Sequence, residues 1–184
     1  IFTKQNIANS TQLLFLTNIL SKTNHIDSNI DKFWEKKVCL SQDKIDLVCL
    51  GPLTNIANAI LKYGQKFTQK IGRVVIMGGA IYTSGNVKPA KKAEYNFYLD
   101  PKAAKIALSS ELTIQLVPMD AVKFAPITSL FNQIIERLEP KAKTGIIIKK
   151  TILANQNDFR YFYDPFAVST IINSGIVKKT KFLK

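Results

Sequence analysis

Gly78-Gly79, Gly85-Asn86, Glu94 and Asn96 are gathered in one short stretch, Ile76 to Ala104, which reads IMGGAIYTSGNVKPAKKAEYNFYLDPKAA. Carboxamides and a carboxylate grouped in this way can donate to and accept from a polyhydroxyl ligand such as a sugar. Two further signals share this character. GPLTN occupies 51–55, directly after the apolar run Ile45–Leu50, and Asp164 stands in YDP. Metal chemistry of the zinc type is excluded, because Cys39 and Cys49 form no CxxC and His25 is the single histidine. Each residue also has a purely structural reading. Asp100 and Asp164 suit helix caps, Asn86 a turn, and Glu94 and Asn96 an exposed loop. Met77 and Cys49 suit a core or pocket wall, and His25 a solvated turn.

The elements that must hold these residues can be read from periodicity. IDLVCL (45–50) and RVVIM (73–77) are short continuous apolar runs, as is LTIQLV (112–117), and each is stopped by Gly or Pro. Leu53, Ile56, Ala57, Ile60 and Leu61 mark one face of a helix that Gly64 ends. Asp100-Pro101 starts a helix through Leu108, with Asp as cap and Pro in the first turn. Further helices are expected from Ile127 to Leu138, from Thr144 to about Asn155, and from Asp164-Pro165 to Ile172. Near the start, Ser10 and Thr11 suit the cap of a helix carrying Leu13, Leu14, Leu16, Ile19 and Leu20. Ile1–Thr3 reads as the tail of a strand, and Thr23 to Asp31 as a polar turn. Strands alternating with amphipathic helices imply an α/β protein, mainly a parallel Rossmann-like sheet flanked by helices. In such sheets ligands sit beyond the carboxyl ends of the strands. GPLTN, Gly78-Gly79 and Met119-Asp120 all fall there.

Taken together, GPLTN (51–55), MGG (77–79), GN (85–86), Pro89, AEYN (93–96), DPKAA (100–104) and YDP (163–165) resemble the ordered motifs of the inosine-uridine nucleoside hydrolase family, the metal-dependent N-ribohydrolases. The resemblance covers nearly the whole chain and is tightest from Asp46 to Pro118. It implies one nucleoside hydrolase-like domain over 1–184, incomplete and truncated at both ends. The implied reaction is hydrolysis of the N-glycosidic bond of a ribonucleoside to ribose and free base. Charge then builds on the ribosyl centre, and a Ca²⁺ would hold the sugar hydroxyls and an activated water. By resemblance, the Leu50 carbonyl and the Asp164 carboxylate would be calcium ligands. Asn86, Glu94 and Asn96 would bind ribose hydroxyls, with Met77 beside the sugar. Asn6 matches an early pocket asparagine, although Gln5 replaces the glycine before it. Tyr163 takes the catalytic position where the family often has a histidine.

The chain departs from the family pattern as well. No D-x-D-x-G-x-D-D motif is present, and that motif supplies the general base and most calcium carboxylates. AKK at 90–92 lengthens the loop before Glu94, which is expected to shift Glu94 relative to Asn86. A second reading is therefore a catalytically inactive homologue kept as a structural subunit of a larger assembly. The formal charge of +13, from 26 basic and 13 acidic residues, also permits contact with nucleic acid or another polyanion. A homo-oligomer is a further expectation from the family. No apolar run approaches the ~20 residues of a membrane span. Ile1 to Leu20 lacks the pattern of a signal peptide, so an intracellular place is expected, the cytoplasm foremost and an organelle as the alternative.

Overall fold

The computed structural model describes residues 14–16, 26–90, 92–154 and 160–182. The elements follow in chain order. After β1 (Leu14–Leu16) come α1 (Ile26–Phe33) and a π-helical turn, Trp34–Cys39. β2 (Ile45–Cys49) leads to α2 (Thr54–Tyr63) and α3 (Gln65–Thr68), and β3 (Ile71–Met77) to α4 (Tyr95–Leu99) and α5 (Pro101–Leu108). β4 (Ile114–Val117) is followed by α6 (Met119–Val122), α7 (Ser129–Arg137), α8 (Lys143–Ala154) and α9 (Tyr163–Ile172).

The strands form one sheet in the order β1-β2-β3-β4, and each neighbouring pair is parallel. Parallel neighbours require crossovers, which the intervening helices supply. Alternate side chains of β3 feed different cores. Val74 and Ile76 join Trp34, Leu47, Ile56, Phe67 and Ala107 on one face. Val75 and Met77 join Val117, Val122 and Ala167 on the other. Coverage of both faces is why the strands read as unbroken apolar runs. Phe67 is fully buried, and its ring meets Trp34 edge-on at 5.3 Å. Burying a side chain of that size stabilises by about 1.5–3 kcal/mol.

Local chemistry sets the boundaries of these elements. Gly64 ends α2 at φ 53°, and its N–H donates to the Ile60 carbonyl. Asp100 caps α5 by accepting from Ala103 N–H at 2.9 Å, and it also takes the Thr54 hydroxyl at 2.6 Å, joining the starts of α2 and α5. The β2–β3 register slips between Ile45 and Leu47. There Asp46 fills the irregularity, accepting Arg73 N–H at 3.1 Å and Arg73 Nε at 2.8 Å.

The early chain differs from its sequence reading. Leu14–Leu16 is not helical but pairs in parallel with Leu47–Cys49. A short leucine-rich run fits either element by periodicity, and an open sheet edge decides for strand. Ile26–Phe33 is helix where a polar turn was expected through Asp31. Its helix is one-sided, with Ile30 and Phe33 packed on the core and polar residues between them. Ile1–Thr3, Asn6 and His25 lie outside the described residues. No helix among the described residues is long and apolar enough to cross a membrane.

Candidate functional site

β2, β3 and β4 run parallel, so their carboxyl ends open on one edge. Leu50 follows β2 and Met77 ends β3. The loop leaving β3 begins with Gly78 and Gly79 because the Phe97 ring lies against both: a Cβ at either would crowd it. Gly79 also takes φ 82°, a left-handed conformation that favours glycine. Further along, Gly85 passes so close to the Ala93 backbone that a Cβ would overlap it. Asn86 and Val87 then donate their N–H groups to the Ala93 carbonyl at 3.0 and 3.2 Å.

This closure brings Asn86 to Glu94 despite the longer AKK loop. Asn86 Oδ1 accepts Tyr95 N–H at 2.8 Å, one residue past Glu94. Glu94 is not an exposed loop residue. It is 3% exposed and caps α4, with Oε1 accepting Asn96 N–H at 2.9 Å and Oε2 accepting Phe97 N–H at 3.2 Å. Oε2 also accepts Gly79 N–H at 3.0 Å. Asn96 Nδ2 donates to the Met77 carbonyl at 3.1 Å and approaches Met77 Sδ at 3.5 Å.

The opposite wall is the start of α9. Asp164 lies inside the first turn, while Phe162 takes the cap position without a side-chain bond. The capping alternative for Asp164 is thus removed; for Asp100 capping is what the structure shows. Burial raises the Asp164 carboxyl above the usual aspartate range, and the negative charge of Glu94 raises it further. No hydrogen bond reaches the Asp164 carboxylate among the described residues. Burial, then Tyr161, raises the Tyr163 phenol; Arg160 opposes this and Glu94 adds to it. The phenol therefore stays protonated at neutral pH, and its ring meets Tyr161 edge-on at 5.9 Å.

Leu50, Met77, Asn86, Glu94, Tyr95, Asn96, Tyr163 and Asp164 line one hollow of about 150 Å³. Every candidate within the described residues is there. Tyr95 is the member that sequence reasoning passed over. Its place between Glu94 and Asn96, half-exposed on a helix start, was the available signal. A larger hollow of about 480 Å³ lies beside α1 and α2 and contains none of the candidates. The smaller one carries the chemistry, since the buried Glu94, the half-buried Asn96 and Asp164 and the amide of Asn86 converge on it.

The polar inventory of the smaller hollow can be completed bond by bond. Asn86 Nδ2 has no partner among the described residues. Glu94 Oε1 accepts one bond and keeps acceptor capacity, as does Asn96 Oδ1. One donor group and two acceptors match a pair of adjacent hydroxyls, each of which donates once and accepts. A metal is less well provided for. No group of three or more His, Cys, Asp or Glu side chains among the described residues could hold one. The Leu50 carbonyl and Asp164 offer two oxygens, against about six to eight for Ca²⁺. The described residues do not by themselves fit that ion. The cysteines add nothing, since both are free thiols and burial pushes Cys49 up to about 12.

A parallel α/β sheet with a polar hollow at its carboxyl edge defines a small-ligand-binding class. Within that class, this chain belongs to the inosine-uridine preferring nucleoside hydrolase family, whose sequence model matches residues 8–183. The probable uridine nucleosidase 1 of Oryza sativa subsp. japonica is 40% identical over 104 residues, covering 56% of this chain and 31% of that protein. The pyrimidine-specific ribonucleoside hydrolase RihA of Shewanella sp. (strain MR-4) is 30% identical over 158 residues, or 80% of this chain and 48% of that protein. Among solved structures, the inosine-uridine preferring nucleoside hydrolase of Bacillus anthracis aligns with a TM-score of 0.68 at 22% identity, covering 84% of this chain and 50% of that one. That last likeness shows the fold. The chain spans about half the length, or less, of these relatives.

Proposed function

We propose that this chain forms the ribose-holding side of a nucleoside hydrolase pocket, within one nucleoside hydrolase-like domain. The reaction is hydrolysis of the N-glycosidic bond of a ribonucleoside. The observation that carries this reading is the single hollow in which Asn86, Glu94 and Asn96 keep unused polar valences beside Met77 and Asp164. Asn86 Nδ2 donates to a ribose hydroxyl, while Glu94 Oε1 and Asn96 Oδ1 accept from hydroxyls. Met77, 2% exposed, forms an apolar floor that fixes which sugar face enters. The Tyr163 phenol, protonated at neutral pH, is a hydrogen-bond donor to the leaving base but a weaker acid than histidine. Asn6, by family resemblance, joins the same ligand set.

Were Ca²⁺ bound, the Leu50 carbonyl and Asp164 would supply two of its oxygen ligands, and the remaining ligands would have to come from outside the described residues. When bound, such an ion orients hydroxyls and lowers the pKa of a water. A half-buried carboxylate without a partner works against the fold, so Asp164 is held at a cost that binding would offset. The test is release of base from uridine and inosine, with and without EDTA, by wild type and Asp164→Asn. Turnover that EDTA removes and Asp164→Asn lowers by at least ~100-fold supports the reading. The same substitution should raise the melting temperature, because it removes a half-buried charge that faces the charge of Glu94. Wild-type protein that releases no base and binds no inosine leaves the structural-subunit reading in its place.

A further inference from the structure

Asp120 stands outside the hollow, in the first turn of α6, yet it is bonded to the loop that carries Asn86. Its Oδ2 accepts Ile81 N–H at 2.9 Å and its Oδ1 accepts Tyr82 N–H at 2.8 Å. It does not cap its own helix, whose cap position is Pro118. Burial works against its ionised form, but these two N–H groups, its own backbone N–H and the Lys123 charge together hold the carboxyl below the usual range. The neighbouring backbone repeats the connection, since Met119 N–H donates to the Gly79 carbonyl at 2.9 Å.

The loop from Gly79 to Val87 is thus fixed towards both ends. Asp120, Met119 and Glu94 hold its first half, and the Ala93 carbonyl and Tyr95 N–H hold Asn86 and Val87. Among the described residues no hydrogen bond holds Thr83 or Ser84 between them. Asn86 itself is held by the Ala93 carbonyl and by Tyr95 N–H on its Oδ1, and the backbone that leads into it is held at Ile81 and Tyr82. The other end of the linkage reaches the opposite wall. Val122 of α6 packs with Ala167 of α9, the helix that carries Tyr163 and Asp164.

We propose that Asp120 is a positioning residue for riboside binding: by gripping Ile81 and Tyr82 it sets where the loop presents Asn86, in register with the α9 wall. This rests on the reading of Asn86 as a ribose ligand. Loss of two charge-assisted bonds at the base of a positioning loop is worth at least about tenfold in affinity.

The experiment has a ligand-free arm and a ligand arm. Amide hydrogen exchange is compared between wild type, Asp120→Ala and the milder Asp120→Asn, which keeps one acceptor oxygen. The expected result is exchange at least about tenfold faster at Ile81 and Tyr82, extending to Asn86 and Val87, with Asp120→Asn intermediate. Faster exchange confined to Ile81 and Tyr82 overturns the proposal, because Asn86 is then held independently. In the second arm inosine binding is measured by calorimetry for Asp120→Ala, Asn86→Ala and the double variant. Asp120→Ala should weaken binding in the wild-type background and have no further effect once Asn86 is removed. Additive losses overturn a role through Asn86. A wild-type protein that shows the expected exchange pattern but binds no inosine removes the ribose reading, and the assignment to riboside binding falls with it.

Discussion

Glu94 is the most heavily used side chain in the hollow, and its two duties are in tension. Three backbone N–H groups converge on its carboxylate, from Gly79, Asn96 and Phe97. This cluster of donors fixes the carboxylate plane and leaves Oε1 with spare capacity for a ligand. Replacing it by Gln keeps shape and volume but turns one oxygen into a donor that faces another donor. A buried donor left unpaired costs about 1–3 kcal/mol. Glu94→Gln is therefore expected to lower stability by that order in urea denaturation and to weaken inosine binding measured by calorimetry. Unchanged stability would show that the N–H groups find other partners and that Glu94 is not held as described. The sequence made Glu94 visible as chemistry, through AEYN, but not as a cap. Nothing in the residue string tells that Gly79 folds back onto it; that contact depends on a glycine at φ 82°. Tyr95 was overlooked for a related reason. An aromatic between two polar residues reads as a loop side chain until α4 places all three on one rim.

At the scale of elements, the buried helices and strands were legible because each is signalled locally. Continuous apolar runs marked β2, β3 and β4, and Asp-Pro marked the start of α5. α9 begins at Tyr163, before the Asp-Pro that announced it, so Asp164 lies within the helix and is free to serve the hollow. What was not legible is decided by neighbours rather than by propensity. Leu14–Leu16 is a strand because β2 offers a free edge, and the short helices α3, α4 and α6 are single turns fixed by the loops around them. The joint between α2 and α5 has a pH signature. The Thr54 hydroxyl first, and then Ala103 N–H, hold Asp100 below the usual aspartate range. A folded value below the unfolded one adds stability that is complete above the unfolded pKa, about 3.9. That stability is lost as pH falls through the folded value. Asp100→Ala is expected to cost about 1 kcal/mol near pH 7. In urea titrations from pH 7 downward, its difference from wild type should hold steady to the ordinary aspartate value and then shrink. A difference that stays constant into strong acid would mean that packing, not the ionised cap, links the two helices.

At the scale of the whole molecule, charge is the property that the fold does not explain away. The chain carries 26 basic and 13 acidic residues. Several of its acids are directed inward or to the backbone rather than toward lysines. Glu94 accepts backbone N–H groups, Asp120 holds the loop, Asp100 caps α5, and Asp164 faces the hollow. Ion pairs join Lys62 to Asp31 and Arg73 to Asp46, which leaves a large excess of cations on the surface. Like charges crowd together when the chain is compact and separate when it unfolds, so this excess works against the folded state. Screening shortens their reach to about 10 Å at 0.1 M salt and about 3 Å at 1 M. Stability should therefore rise as sodium chloride is increased from low ionic strength, opposite to the trend of a protein held by surface ion pairs. Thermal denaturation across a chloride series checks this, and a melting temperature that falls with salt would refute it. Sulfate alone is not an adequate test, since it also strengthens apolar burial. The expected direction bears on function as well. Inosine and uridine carry no net charge, so their binding should be nearly indifferent to the same salt series. A strong salt dependence of inosine binding would place lysines, rather than Asn86, Glu94 and Asn96, at the ligand.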